Sequence, residues 1–268
     1  MVDASQRVAI DEGVPFASAG GRELRADVYR PPAAVAPRPG ILLVHGGSWF
    51  AGEPAMMRGY CILMARQGYP CVASQYRLTG EAKWPAQIDD VHAAIRWMRE
   101  QGPDFGIDPE RLVLWGQSAG AHLTLLAAAQ IANGEGGAGG ASNPIAACVN
   151  YYPVTSLEPG LGDAWEHAQA LLPGASAEQW RAMSPLGQAG AGFPPTLLLH
   201  GGNDDTVATD QSLRLFDSLR AAGVPVDLHV YAGQRHGFDL DRTFARHSVE
   251  VISLFLSRYA PLPATEGE

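Results

Sequence analysis

Short apolar runs alternate along the chain with longer stretches in which apolar positions recur at helical spacing. The short runs predict buried strands at Gly40–Val44, Pro70–Ser74, Leu112–Trp115, Ala146–Tyr151, Thr196–His200 and Asp227–Tyr231. The longer stretches predict helices at Met57–Gln67, Ala86–Gln101, Ala119–Ala132, Asp210–Ala222 and Arg242–Arg258. In the second of these, Ile88, Val91, Ile95 and Met98 form one apolar stripe. Glu23–Arg30 alternates like a strand with one wet face, as expected of an antiparallel edge at the start of the sheet. Strands that are apolar throughout, separated by helices, define an α/β protein with a mostly parallel sheet covered on both faces.

Residues 153–194 break this rhythm. They are rich in Pro, Gly and Ala, carry Trp180 and show only weak helical periodicity. Inserted between two strands, they are expected to form a small lid or pocket wall within one domain spanning 1–268. GEGGAGGAS (134–142) is expected to be a flexible connection, and the PLPATEGE tail to fray.

Composition narrows the function. A hydrophobic content of 46% suits a globular core, and a formal net charge of -9 disfavours nucleic acid and anionic membranes, which need a basic face. Cys61, Cys71 and Cys148 lack metal-type spacing, so no metal site and no disulfide framework is expected. MVDASQRVAIDEG has no basic start followed by an apolar run, which predicts a cytoplasmic protein. A homodimer is the one assembly left open.

Candidate chemistry begins at GQSAG (116–120), a G-x-S-x-G pattern between a predicted strand and a predicted helix. Such a turn projects Ser118 as a nucleophile, and its glycines let two backbones approach closely. The same pattern arises by chance in glycine-rich chains, so its company decides. Upstream, GILLVHGGSW ends a strand in a glycine-rich turn, offering the Gly47 and Ser48 amides, with Ala119, as an oxyanion hole. His45 is expected to brace that turn. Downstream, HGGNDDTV places Asp204 and Asp205 after a strand, of which only one can orient a histidine. His236, in AGQRHGFD after the last strand, is the candidate base. The order Ser, Asp, His belongs to the α/β-hydrolase arrangement. The remaining histidines read as packing residues, His122 and His200 among them.

Taken with HGGSW, the segments QYRLTGEAKWPAQIDDVHAAIRWMR, IDPERLVLWGQSAGAHL, HGGNDDTV and HGF resemble an α/β-hydrolase carboxylesterase of the hormone-sensitive lipase-like group related to acetyl-xylan and feruloyl esterases. The likeness runs from about residue 20 to 258. It implies a Ser118–His236–Asp204 triad, with Asp204 aligned to G-x-x-D-x-x-V and Asp205 in reserve, and oxyanion donors at Gly47, Ser48 and Ala119. It implies a cofactor-free serine hydrolase of short-chain or carbohydrate-linked esters acting through an acyl-enzyme. Ser48 stands where the HGGG form has glycine, and HGGxW also resembles kynurenine formamidases, so a formamidase or peptidase is the alternative. A non-catalytic ligand binder is the rival from another class. Arg77 with Asp89 or Asp90 is expected to be a structural ion pair, and Trp49, Trp84, Tyr152 and Phe238 are candidate pocket residues.

Overall fold

The computed structural model describes residues 7–32, 37–135, 143–157 and 164–263. Strands β1 (Ala9–Ala19), β2 (Arg22–Arg30), β3 (Arg38–Val44), β4 (Cys71–Ser74), β5 (Ile107–Gln117), β6 (Ile145–Tyr151), β7 (Thr196–Gly201) and β8 (Val226–Tyr231) form one sheet. Its order is β1-β2-β4-β3-β5-β6-β7-β8. The strands from β3 to β8 run parallel, and β2 is antiparallel to both β1 and β4.

The pattern of the strands fixes both layers. Along β3, Leu42 and Val44 face one side and Ile41 and Leu43 the other, and all four are fully buried. The first side packs against α2 (Ala86–Glu100), α3 (Ala119–Ala132) and α6 (Asp210–Ala221). The second packs against α1 (Arg58–Gln67) and α7 (Arg242–Tyr259). This double covering is why the central strands read as apolar throughout rather than alternating.

The predicted helices and central strands are present, most within a residue or two of their expected bounds. The edge is different: β2 is the second strand, and β1 lies outside it. Register shifts between Asp11 and Val14 and between Pro15 and Ala17 break the two-residue alternation that would have revealed β1. The connection 136–142 and the tail 264–268 lie outside the described residues, as do 158–163 of the irregular insertion.

The rest of the insertion carries two short helices, α4 (Ala164–Ala168) and α5 (Ala177–Ala182), the latter opened by a Ser176–Gln179 capping box. It is fastened to the body by Trp84 N–H donating to Leu171 O at 3.0 Å and Thr155 N–H to Gln211 Oε1 at 2.9 Å. Ala168, Leu171, Trp180 and Met183 join the core on the α2–α3 face. Nearby, Arg77 makes a bidentate pair with buried Asp90, as expected of a structural ion pair, while Asp89 is exposed.

Candidate active site

Strand β5 ends at Gln117 and α3 begins at Ala119, leaving Ser118 as the single residue of the turn. Its φ of 51° is in the left-handed region, rare for a side chain with a Cβ. The strain is held from both sides: Ser118 N–H donates to Tyr151 O at 3.0 Å, and Ser118 O accepts from His122 N–H at 3.0 Å. Gly120 is required by close approach, because a Cβ there would collide with the carbonyl oxygens of Val44 and His45. The turn therefore presses directly on the end of β3, where the HGGSW segment starts.

Asp204 follows β7 and His236 follows β8, so both arrive at the carboxyl edge where Ser118 sits. His236 Nε2 lies 3.1 Å from Ser118 Oγ, and His236 Nδ1 lies 2.7 Å from Asp204 Oδ2. The partners assign the tautomer: Nδ1–H donates to the carboxylate, leaving Nε2 to accept the serine proton. Burial pushes the Asp204 carboxyl up, but donors from His200, His236 and the Val207 amide outweigh it and hold the group well below the usual carboxylate range. Asp205 points away into solvent, 3.6 Å from Arg235.

The HGGSW segment forms a tight left-handed turn, with φ of 108° at Gly47, 51° at Ser48 and 62° at Trp49. The Gly47 carbonyl accepts from the Phe50 and Ala51 amides, and a Cβ on Gly47 would strike Ala51 O. Among the described residues, the amides of Gly47, Ser48 and Ala119 take part in none of the backbone hydrogen bonds of turns and loops. The turn runs close to the elbow, since a Cβ on Gly46 would lie 3.3 Å from Ser118 Cβ, and Ala119 opens α3, whose N-terminus favours developing negative charge. His45 braces the turn as expected. It is buried, sits 2.7 Å through Nδ1 from Gly46 O and stacks on Tyr76, and burial pushes its pKa down to about 4.

The aromatic candidates divide into two groups instead of lining one wall. Trp49, 1% exposed, and half-buried Trp84 pack around His122 on the α2–α3 face. Tyr152 and Phe238 lie behind His236; the Tyr152 ring is 4.3 Å from the imidazole, and Phe238 belongs to a cluster with Tyr151, Tyr231 and Phe244.

Two polar residues near the site went unrecognised in the sequence. His200 stands 3.3 Å through Nε2 from Asp204 Oδ2, with Nε2–H also directed at Val207 O (2.9 Å) and Nδ1 accepting from Ser212 (2.7 Å). Asp239 accepts from Gln117 Nε2 at 2.6 Å, Tyr60 Oη at 2.9 Å and Tyr152 Oη at 2.7 Å. The only signal was position: His200 ends a strand four residues before the acid, and Asp239 extends HGF.

Sheet order, helix layers and a serine elbow at the carboxyl edge define an α/β-hydrolase. Residues 26–219 match the model of the BD-FAE family, and the chain belongs to that family. Esterase LipQ of Mycobacterium tuberculosis is 31% identical over 255 residues, covering 88% of this chain and 60% of its own. An ethyl acetate hydrolase of Pseudomonas putida is 29% identical over 239 residues, covering 81% and 72%. Among solved structures, the propionate-bound form of a thermophilic esterase from Thermogutta terrifontis superposes with a TM-score of 0.80 at 26% identity, covering 97% of each chain. These relatives uphold the resemblance to hormone-sensitive lipase-like esterases. The chain spans only 58–60% of the length of the three mycobacterial relatives LipQ, LipC and LipM.

Proposed function

We propose that the protein is a serine carboxylesterase acting on short-chain esters without a cofactor. One observation carries this reading: a continuous hydrogen-bond chain from Ser118 through His236 to Asp204, built on a strained elbow. In the proposed reaction His236 Nε2 takes the serine proton while Ser118 Oγ forms a bond to the ester carbonyl carbon. The Gly47, Ser48 and Ala119 amides receive the oxyanion. Collapse breaks the carbon–alkoxy bond, and His236 returns its proton to the departing alcohol. Water, deprotonated by the same nitrogen, then releases the acid and restores Ser118.

Supporting this reading, relatives are esterases by name, and the Thermogutta esterase has been solved with propionate, with butyrate and phosphonylated by sarin. The net charge of -9 disfavours nucleic acid and anionic membrane surfaces as partners. We expect p-nitrophenyl acetate to be hydrolysed, a fluorophosphonate to label one residue per chain, and Ser118→Ala to abolish both. Equal turnover by wild type and Ser118→Ala would sink the proposal. N-formylkynurenine and acetylated xylo-oligosaccharide, tested alongside, place the formamidase alternative: a dominant kcat/KM for the formamide would replace the ester reading.

A further inference from the structure

Asp239 is a buried carboxylate that the proposed reaction leaves without a role. It accepts from Gln117, Tyr60 and Tyr152, three neutral donors, and among the described residues it forms no ion pair. A negative charge held away from water without a cation is costly, and apolar side chains of similar size would pack there at less cost.

Two of its three donors adjoin the reacting groups. Gln117 precedes Ser118 at the end of β5, while Asp239 itself follows His236 by three residues, in the short turn Phe238–Leu240. Tyr152 comes directly after β6 and lays its ring 4.3 Å from the His236 imidazole. Its φ of 36° is in the left-handed region, so its conformation has to be held by its surroundings. The backbone is held by its N–H donating to Leu199 O at 2.7 Å, and the side chain by its hydroxyl donating to Asp239 Oδ1 at 2.7 Å. Tyr60, by contrast, belongs to α1, and its ring packs on Trp115 and Tyr151.

We infer that Asp239 is a positioning residue for the proposed reaction. It ties the turn that carries the base to the residue before the nucleophile, and it fixes the Tyr152 ring against which the imidazole rests. The inference rests on the proposed esterase function, since it assigns a role relative to Ser118 and His236. Asp204 holds His236 through Nδ1 alone, a bond about which the ring can still swing. Bracing on the Tyr152 side removes that freedom and keeps Nε2 aimed at Ser118 Oγ. Misplacing a reacting group by about 1 Å can cost roughly a hundredfold in rate.

Three variants separate positioning from stability. Asp239→Asn removes the charge and, whichever way its amide turns, sets an NH2 against a group that donated to the carboxylate. Tyr152→Phe removes one hydroxyl and leaves the ring. Tyr60→Phe removes a bond to the same carboxylate from α1. Rates are expressed per site titrated with a fluorophosphonate, so unfolded protein does not count. We expect kcat for p-nitrophenyl acetate to fall about tenfold or more in Asp239→Asn and about three- to tenfold in Tyr152→Phe, with KM within about twofold. In Tyr60→Phe kcat should stay within about twofold, although its lost bond lowers the thermal midpoint as the others do. Adding Tyr152→Phe to Asp239→Asn should lower kcat little further, because the hydroxyl acts through the carboxylate. Lower midpoints with unchanged kcat in Asp239→Asn and Tyr152→Phe would overturn the inference and leave a purely structural network. An equal loss of kcat in the two tyrosine variants would overturn it as well, and that contrast decides alone if Asp239→Asn does not fold. A wild type that neither hydrolyses the ester nor takes the label would overturn the proposed function and this role with it.

Discussion

At the scale of single residues, Asp204 is the most constrained group in the site. Its side chain is fully buried and accepts from two histidines and from the Thr206 and Val207 amides. Asn at this position keeps the shape but can turn its NH2 toward His236, which forces the wrong tautomer. Asp204→Asn is expected to lower kcat roughly 10⁴-fold, while Asp205→Asn, altering an exposed carboxylate, leaves it within about twofold. Steady-state kinetics on p-nitrophenyl acetate distinguish them. His200, fully buried, holds the far side of Asp204. Removing a hydrogen bond to a charged group costs roughly 1.5–3 kcal/mol, so His200→Leu should lower kcat by about ten- to a hundredfold with KM little changed. A rise in KM of the same size would count against a positioning role. The sequence showed Ser118 and His236 because each ends a strand in a recognisable turn. It showed neither His200 nor Asp239, since their partners Asp204, Gln117, Tyr60 and Tyr152 are joined by packing rather than by spacing.

Among elements, the elbow and the HGGSW turn are one unit, because Gly120 lies against the carbonyls of Val44 and His45. Gly120→Ala drives a methyl group into rigid backbone and should destabilise the protein by about 3 kcal/mol or more. Urea unfolding would record this as a lower midpoint with an unchanged slope. The insertion has a more modest dependence on its local signals: Ser176→Ala removes the α5 capping box and should cost about 1 kcal/mol. Elements with strong periodicity and glycine punctuation, such as β3 and α3, were legible to within two residues, whereas β5 begins five residues before its expected start at Leu112. Strand β1 was not, because AIDEGVPFASA mixes polar residues, glycine and proline around two register shifts, and pairing with β2 supplies the order that its own pattern lacks.

For the whole molecule, acid is the expected weakness. His45 and His122 are both buried, and burial pushes each pKa down to about 4. An unfolded histidine titrates near 6.5, so between pH 6.5 and 4 the unfolded chain binds more protons and stability falls as pH falls. Above pH 6.5 the two residues impose no such loss. Each contributes up to about 3 kcal/mol of lost stability by pH 4. Asp204 adds a further loss only below the ordinary carboxylate range, since its folded pKa is depressed. Thermal midpoints measured from pH 7 to 4.5 should decline steadily. His122→Gln, less stable at pH 7 because its bond to Met183 O is weakened, should show a shallower decline. An identical slope would mean that His122 does not titrate on unfolding.

The site's residues are far apart in sequence, with Ser118 and His236 separated by 118 positions. Ser118 can be set in its turn once β3, β5 and β6 have paired, but its base arrives only after β8 docks on β7. During synthesis the serine therefore leaves the ribosome well before the group that would activate it. On the proposed roles, a nascent chain stays chemically inert until nearly the last strand is in place, so partly made protein cannot hydrolyse esters.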